Sequence, residues 1–112
     1  MANKHFAKKC TYDGYKFDSL KEGRVYNQLK LMKTSKCIKY LTPHPRYDIV
    51  FYGKKVCTAI LDFEYYDIKE RKKHYIDVKA FDKKKKKFLI TPLSRLKKKL
   101  IEAQYKIKVD YV

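Results

Sequence analysis

Apolar positions recur at helical intervals from Leu20 to about Lys33, where Leu20, Tyr26, Leu29 and Met32 fall in register behind Ser19 and Glu22 at capping-box spacing. This predicts a first helix. Beyond it the period changes. Ile38–Leu41, Arg46–Tyr52, Lys55–Tyr66 and His74–Ala80 are rich in β-branched and aromatic residues, with Pro43, Pro45, Gly53 and the charged stretch Asp67–Lys73 between them. They read as an antiparallel sheet built of hairpins. Thr91 before Pro92 is an N-cap and first-turn pair, and Leu93, Leu96, Leu100 and Ala103 make the apolar stripe of a second helix. Lys106–Val112 alternates, with Ile107, Val109 and Tyr111 on one face, and closes the chain as a strand. The polar, basic start, up to the turn-like Tyr12-Asp13-Gly14, reads as an arm over residues 1–12.

This order, one helix, several strands, a helix and a strand, predicts the α/β class with a central mixed sheet flanked by two main helices. Its 112 residues fit a single domain, 1–112, with a continuous core. Charge then narrows the partners. Twenty-nine Lys and Arg against twelve Asp and Glu leave a net charge of +17, which favours a polyanion. Apolar runs are short and broken by charges, far from the ~20 residues of a spanning helix, so nucleic acid is favoured over membrane. The first residues carry basic side chains with no apolar run behind them, which predicts a cytoplasmic protein without a secretion signal. Cys10, Cys37 and Cys57 are odd in number and widely spaced, and read as ordinary thiols. His5, His44 and His74 are equally scattered, so a zinc site is not expected.

Candidate chemistry lies in Asp77-Val78-Lys79. With a connection centred near Glu70, residue 62 becomes a cross-strand neighbour of 77–78, and period-two geometry sets Asp62 with Glu64 and Asp77 with Lys79. Glu22 begins the helical stripe of Val25, Leu29 and Met32, where a carboxylate is costly without a partner or a cation. It can also serve only as the capping partner of Ser19. Three acids and a lysine suit Mg²⁺, which prefers oxygen donors and is held by one or two carboxylates beside a phosphate oxygen. Metal-assisted phosphodiester hydrolysis follows as the expected reaction, with Lys79 supporting the charge that builds on phosphorus.

Asp62 and Asp77-Val78-Lys79 resemble the motif of the PD-(D/E)xK nuclease superfamily. The chain is similar, over most of its length, to a family of small phage-encoded proteins of the Holliday-junction-resolvase or endonuclease I-like kind. Tyr12–Ser19, Lys21-Glu22, Pro45-Arg46-Tyr47, Asp62–Tyr65 and Tyr105–Ile107 carry that likeness. It implies a restriction-endonuclease-like core and Glu22, Asp62, Asp77 and Lys79 as catalytic groups. It also implies Glu22, Asp62, Asp77 and the Val78 carbonyl as ligands of Mg²⁺, with Mn²⁺ as an alternative ion. Branched DNA as substrate and a host cytoplasmic location follow from the same likeness. Gly23, His44 and Ala80 depart from its pattern, where a small helix-forming residue, a polar amide and glycine are more usual.

The lysines Lys83, Lys84, Lys85, Lys86 and Lys87, with Lys97 and Lys98, are the candidate phosphate contacts; a solvated basic face is the plain alternative. The eleven tyrosines are expected mainly in packing rather than base stacking. Symmetric resolution of a junction takes two cuts, so a homodimer is expected. A nicking or site-specific endonuclease of the same fold, or a non-catalytic basic nucleic-acid-binding protein, are the competing functions.

Overall fold

A computed structural model describes residues 8–112, and the part of the expected arm at 1–7 lies outside them. The remainder of the arm is built differently from expectation. Cys10–Tyr12 (β1) pairs antiparallel with Tyr15–Phe17 (β2). Asp13 and Gly14 turn the hairpin at φ of 52° and 82°, the left-handed geometry of a two-residue connection. Phe17 is wholly buried in the core, and Asp13 accepts hydrogen bonds from Tyr26 at 2.7 Å and Lys30 at 2.6 Å. One buried ring and two anchors thus order a segment whose composition is that of a loop.

The hairpin lies against Leu20–Thr34 (α1). Ser19 caps this helix, its hydroxyl accepting from the Glu22 N–H at 3.1 Å. Gly23 has its reason here, because a Cβ at that position would meet Cys10 Sγ at 2.5 Å and Tyr12 Cε2 at 2.8 Å. Gly23→Ala should gain up to about 1 kcal/mol of helix propensity yet lose about 1–3 kcal/mol to overpacking. A net fall in melting temperature is expected; a rise would show that the hairpin yields freely.

The strands that follow are Ile38–Pro43 (β3), Arg46–Phe51 (β4), Lys54–Ile60 (β5), Phe63–Asp67 (β6) and Lys72–Asp77 (β7). The short pair Phe81–Asp82 (β8) and Lys87–Phe88 (β9), the helix Pro92–Tyr105 (α2) and Val109–Tyr111 (β10) complete the chain. The main sheet has the order β10-β7-β6-β3. Its inner pairs are antiparallel, but β10 runs parallel to β7, which makes the sheet mixed. The crossover through α2 supplies that parallel strand, since a parallel neighbour cannot be reached by a tight turn.

Two apolar cores form. Phe17, Tyr26, Leu29, Ile38, Phe63 and Ile76 make the one beneath α1, and Ile49, Ala59, Leu61, Ile101 and Val109 the one that joins α2 to the β4–β5 hairpin. Leu61 belongs to one core and Phe63 to the other, so the chain changes core at Asp62. The expected strand Lys55–Tyr66 is therefore two strands, β5 and β6, with Leu61 and Asp62 between them. The alternation of apolar and polar positions runs straight through this break, which is why it was invisible in the pattern.

The second helix starts as expected, with Thr91 Oγ1 accepting from the Ser94 N–H at 3.1 Å. Its phase differs. Leu100 of the expected stripe packs against the core, but Leu93 and Leu96 are 61% and 53% exposed and Ala103 is exposed, whereas Ile101 is buried. Polar docking sets the rotation: Gln104 bonds the Val50 N–H and the Asp48 carbonyl, both at 2.9 Å, and the Tyr105 hydroxyl donates to the same carbonyl at 2.8 Å. Among the described residues no helix is long and apolar enough to cross a membrane.

Candidate active site

Asp77 is the last residue of β7, and the β6–β7 register, with Phe63 opposite Ile76, sets residue 62 opposite it. Asp62 holds this place by its backbone N–H, which donates to the Ile76 carbonyl at 3.1 Å, and by its carboxyl, which accepts the Val78 N–H at 2.6 Å. Beyond β7 the chain stays extended beside the C-terminus: Lys79 N–H donates to Val112 and Val112 N–H to Asp77, each at 3.0 Å. Lys79 thereby carries its ammonium back to within 3.2 Å of Asp77 Oδ2. The cross-strand expectation for Asp62 and Asp77 thus describes the geometry.

Glu22, in the first turn of α1, comes to Asp62 and His44. It is 7% exposed, and its carboxylate turns to His44 Nε2, 3.0 Å away. Its backbone serves the Ser19 cap and its side chain does not, which separates the two roles left open by the spacing. Ligand atoms of Glu22, His44 and Asp62 all lie within 4.8 Å of one another. Lys21, one residue earlier, donates to the Lys79 carbonyl at 2.6 Å and fastens the start of α1 to the end of the Asp77–Lys79 segment.

His44 is the residue the sequence reading missed. It sits between Pro43 and Pro45 in the β3–β4 turn at φ 51°, left-handed backbone that histidine, like asparagine and aspartate, adopts more readily than most side chains. Its N–H donates to the Asp62 carbonyl at 2.9 Å while its ring meets Glu22. Both partners are remote in sequence, so no ligand spacing could reveal it; the flanking prolines, and its standing where a polar amide is more usual, are the signs the sequence carries. Glu64, by contrast, stands apart from this task. One of its oxygens accepts the Tyr47 hydroxyl at 2.6 Å and the other pairs with Lys73 at 3.1 Å. A further group, Asp67, Glu70 and His74, is accounted for by the β6–β7 turn, where Asp67 accepts the Glu70 N–H at 2.8 Å and Glu70 meets His74 at 2.8 Å.

Burial, the hydrogen bond to Asp77 and the charges of Glu22 and Asp77 push the Asp62 carboxyl up to about 9, against the opposing Val78 N–H. Crowded acids of this kind hold a proton unless a cation replaces it. The folded chain then keeps at Asp62 a proton that the unfolded chain releases near its ordinary value of 3.8. Stability from this group is complete below that value and is lost as pH rises through about 9. Asparagine can still accept from Val78 and donate to Asp77 without titrating. Asp62→Asn should therefore raise the stability of the metal-free protein by about 1–3 kcal/mol at pH 8, with the gain vanishing near pH 4. Urea titrations at the two pH values measure it, and an equal effect at both would refute the shared-proton account.

A cleft of about 300 Å³ is lined by Asp77, Lys79, Thr58, Leu93, Lys97 and Lys98; of the candidate acids Asp77 alone reaches it, and Glu22 and Asp62 lie outside its lining. Lys97 and Lys98 thus border the candidate site. Lys83–Lys86 form the turn between β8 and β9 and, with Lys87, are exposed beyond that lining. Asp82 shapes the turn by accepting the N–H groups of Lys84 at 2.9 Å and Lys85 at 3.2 Å.

The model of the family described as "Protein of unknown function (DUF1064)" matches residues 2–112, and the chain belongs to that family. No curated protein and no solved structure matches it.

Proposed function

We propose that this member of the DUF1064 family is a metal-dependent DNA endonuclease of the PD-(D/E)xK kind, with branched or junction DNA as its substrate. The observation that carries the reading is the gathering of Glu22, His44 and Asp62 within 4.8 Å of one another, with Asp77 hydrogen-bonded to Asp62 across the strand pair and Lys79 paired to Asp77. A restriction-endonuclease-like core agrees with the acids lying where adjacent strands of a mixed sheet end beneath α1.

The donor set fits a divalent cation, because the ligand atoms of Glu22, His44 and Asp62 lie within 4.8 Å of one another and the crowding of Asp62 by Glu22 and Asp77 favours a bound positive charge. Glu22, Asp62, Asp77 and the Val78 carbonyl would hold Mg²⁺ or Mn²⁺. When bound, such an ion supplies Lewis-acid polarisation of a phosphoryl oxygen and a lowered pKa for a coordinated water. The chain's own groups do the rest. Lys79 places a positive charge at the mouth of the cleft, where it stabilises negative charge building on the scissile phosphate. Lys97 and Lys98 hold the flanking phosphates, and the β8–β9 lysines Lys83–Lys87 extend the basic track outward. Two active sites in a homodimer would make the paired cuts a junction requires.

The test is incubation of the full chain with labelled four-way junction and linear duplex in Mg²⁺, Mn²⁺ or EDTA. Metal-dependent cutting, with the junction preferred, is the expected result. Binding without cutting in either metal would overturn the enzyme reading, and equal cutting of both substrates would overturn the junction preference alone.

A further inference from the structure

The β4–β5 hairpin leaves the candidate site by both of its legs. β4 begins at Arg46, two residues after His44, and β5 ends at Ile60, two residues before Asp62. Strands of six and seven residues, at ~3.3 Å each, carry its tip about 20 Å outward. This is an arm with a defined bearing, since Gln104 and Tyr105 of α2 bind the backbone of Val50 and Asp48 along its outer edge.

At the tip stand Phe51 and Tyr52, 65% and 94% exposed, with ring centroids 4.5 Å apart. Neither ring serves the fold. Tyr52 and Gly53 turn the chain at φ of 50° and 74°, a geometry for which asparagine, aspartate or glycine is the favourable first residue. A tyrosine there carries backbone strain and gains no burial. Val50 and Val56 extend the apolar end, and exposed Lys54 and Lys55 flank it, Lys55 in a surface ion pair with Asp48 at 3.5 Å that a phosphate would replace. Lysines beside the rings and a net charge of +17 select a polyanion that also presents flat apolar faces.

We propose that Phe51 and Tyr52 stack on unpaired or unstacked bases of the nucleic acid while Lys54 and Lys55 hold adjacent phosphates. The proposal rests on the nuclease reading for its ligand and adds a substrate requirement to it. Along intervening duplex, at 3.4 Å per step, the ~20 Å arm places a branch-point base roughly six base pairs from the scissile phosphate. A fully stacked duplex offers such a pair of rings no base face, whereas a branch point or a single strand does.

The test measures binding of the full chain in EDTA, so that no cutting intervenes, to duplex, single-stranded and four-way-junction DNA carrying 2-aminopurine. The variants are Phe51→Ser/Tyr52→Asn and Lys54→Ala/Lys55→Ala. Asparagine before Gly53 suits the turn, so the first variant should melt no lower than wild type. It is expected to lose about tenfold or more in affinity for junction and single strand, with the salt dependence unchanged and the 2-aminopurine quenching gone. The lysine variant should lower the salt slope by up to about two units. Equal affinity and quenching for wild type and the aromatic variant would overturn the proposal. So would a loss confined to self-association by sedimentation, which would make the tip a contact between two copies of the chain. Cutting that persists with tip-independent binding overturns this inference alone; tip-dependent binding without cutting in any metal overturns the nuclease reading alone.

Discussion

Asp77→Asn is expected to lower metal-dependent cleavage by about 10³-fold or more, and Lys79→Met by about 10²–10³-fold, with both proteins folded. The two losses differ in kind. Asp77 faces Asp62 across the strand pair and also receives Lys79, so its carboxylate is both a cation donor and the anchor of the ammonium. Removing its charge should weaken metal binding and release Lys79. Lys79→Met leaves the acids in place while removing a positive charge from their edge, so metal should bind at least as tightly and the chemical step alone should slow. Single-turnover cleavage at saturating metal, paired with calorimetric titration of Mn²⁺, separates the effects. Because the residues act as a unit, the double variant should be little worse than Asp77→Asn. Wild-type rates in Asp77→Asn would end the proposed role of this site.

Much of that geometry is legible in the sequence, and the reason is register. A hairpin centred near residue 70 leaves little freedom in what faces Asp62, and the observed pairing of Phe63 with Ile76 is the consequence. What stayed hidden was set by partners remote along the chain. His44 is fixed by Glu22 and Asp62, neither within helical or strand spacing of it. The core change between Leu61 and Phe63 keeps the alternation from Leu61 to Tyr65, so a period-two signal cannot distinguish it from one long strand. Leu93 and Leu96 form a valid apolar stripe, yet Gln104 and Tyr105 turn a different face inward because unpaired strand-edge groups of β4 require partners. Gly23, in the interior of a helix, becomes intelligible only when β1 is seen to lie against it.

His44→Ala should reduce cleavage by about 10–100-fold, and His44→Gln should recover most of that loss. The imidazole is bound through Nε2 to Glu22, and the backbone N–H of the same residue holds the Asp62 carbonyl. His44 therefore links the helix carrying one acid to the strand break carrying another, as a positioning residue. Alanine keeps the backbone bond but leaves the Glu22 carboxylate, 7% exposed, without its partner. Glutamine carries an amide N–H at about the reach of Nε2, so it can hold Glu22 where an imidazole ligand could not be imitated. Glycine separates strain from contact: at φ 51° it should be more stable than alanine by about 1 kcal/mol while cutting no faster. Cobalt(II) supplies the deciding readout, since imidazole nitrogen favours it over Mg²⁺ far more than an amide does. If His44 positions Glu22, His44→Gln regains Mg²⁺-dependent cutting and keeps wild-type Co²⁺ affinity. If Co²⁺ affinity collapses in His44→Gln, the imidazole is itself a ligand, and the Glu22 contact is what the bound ion would break.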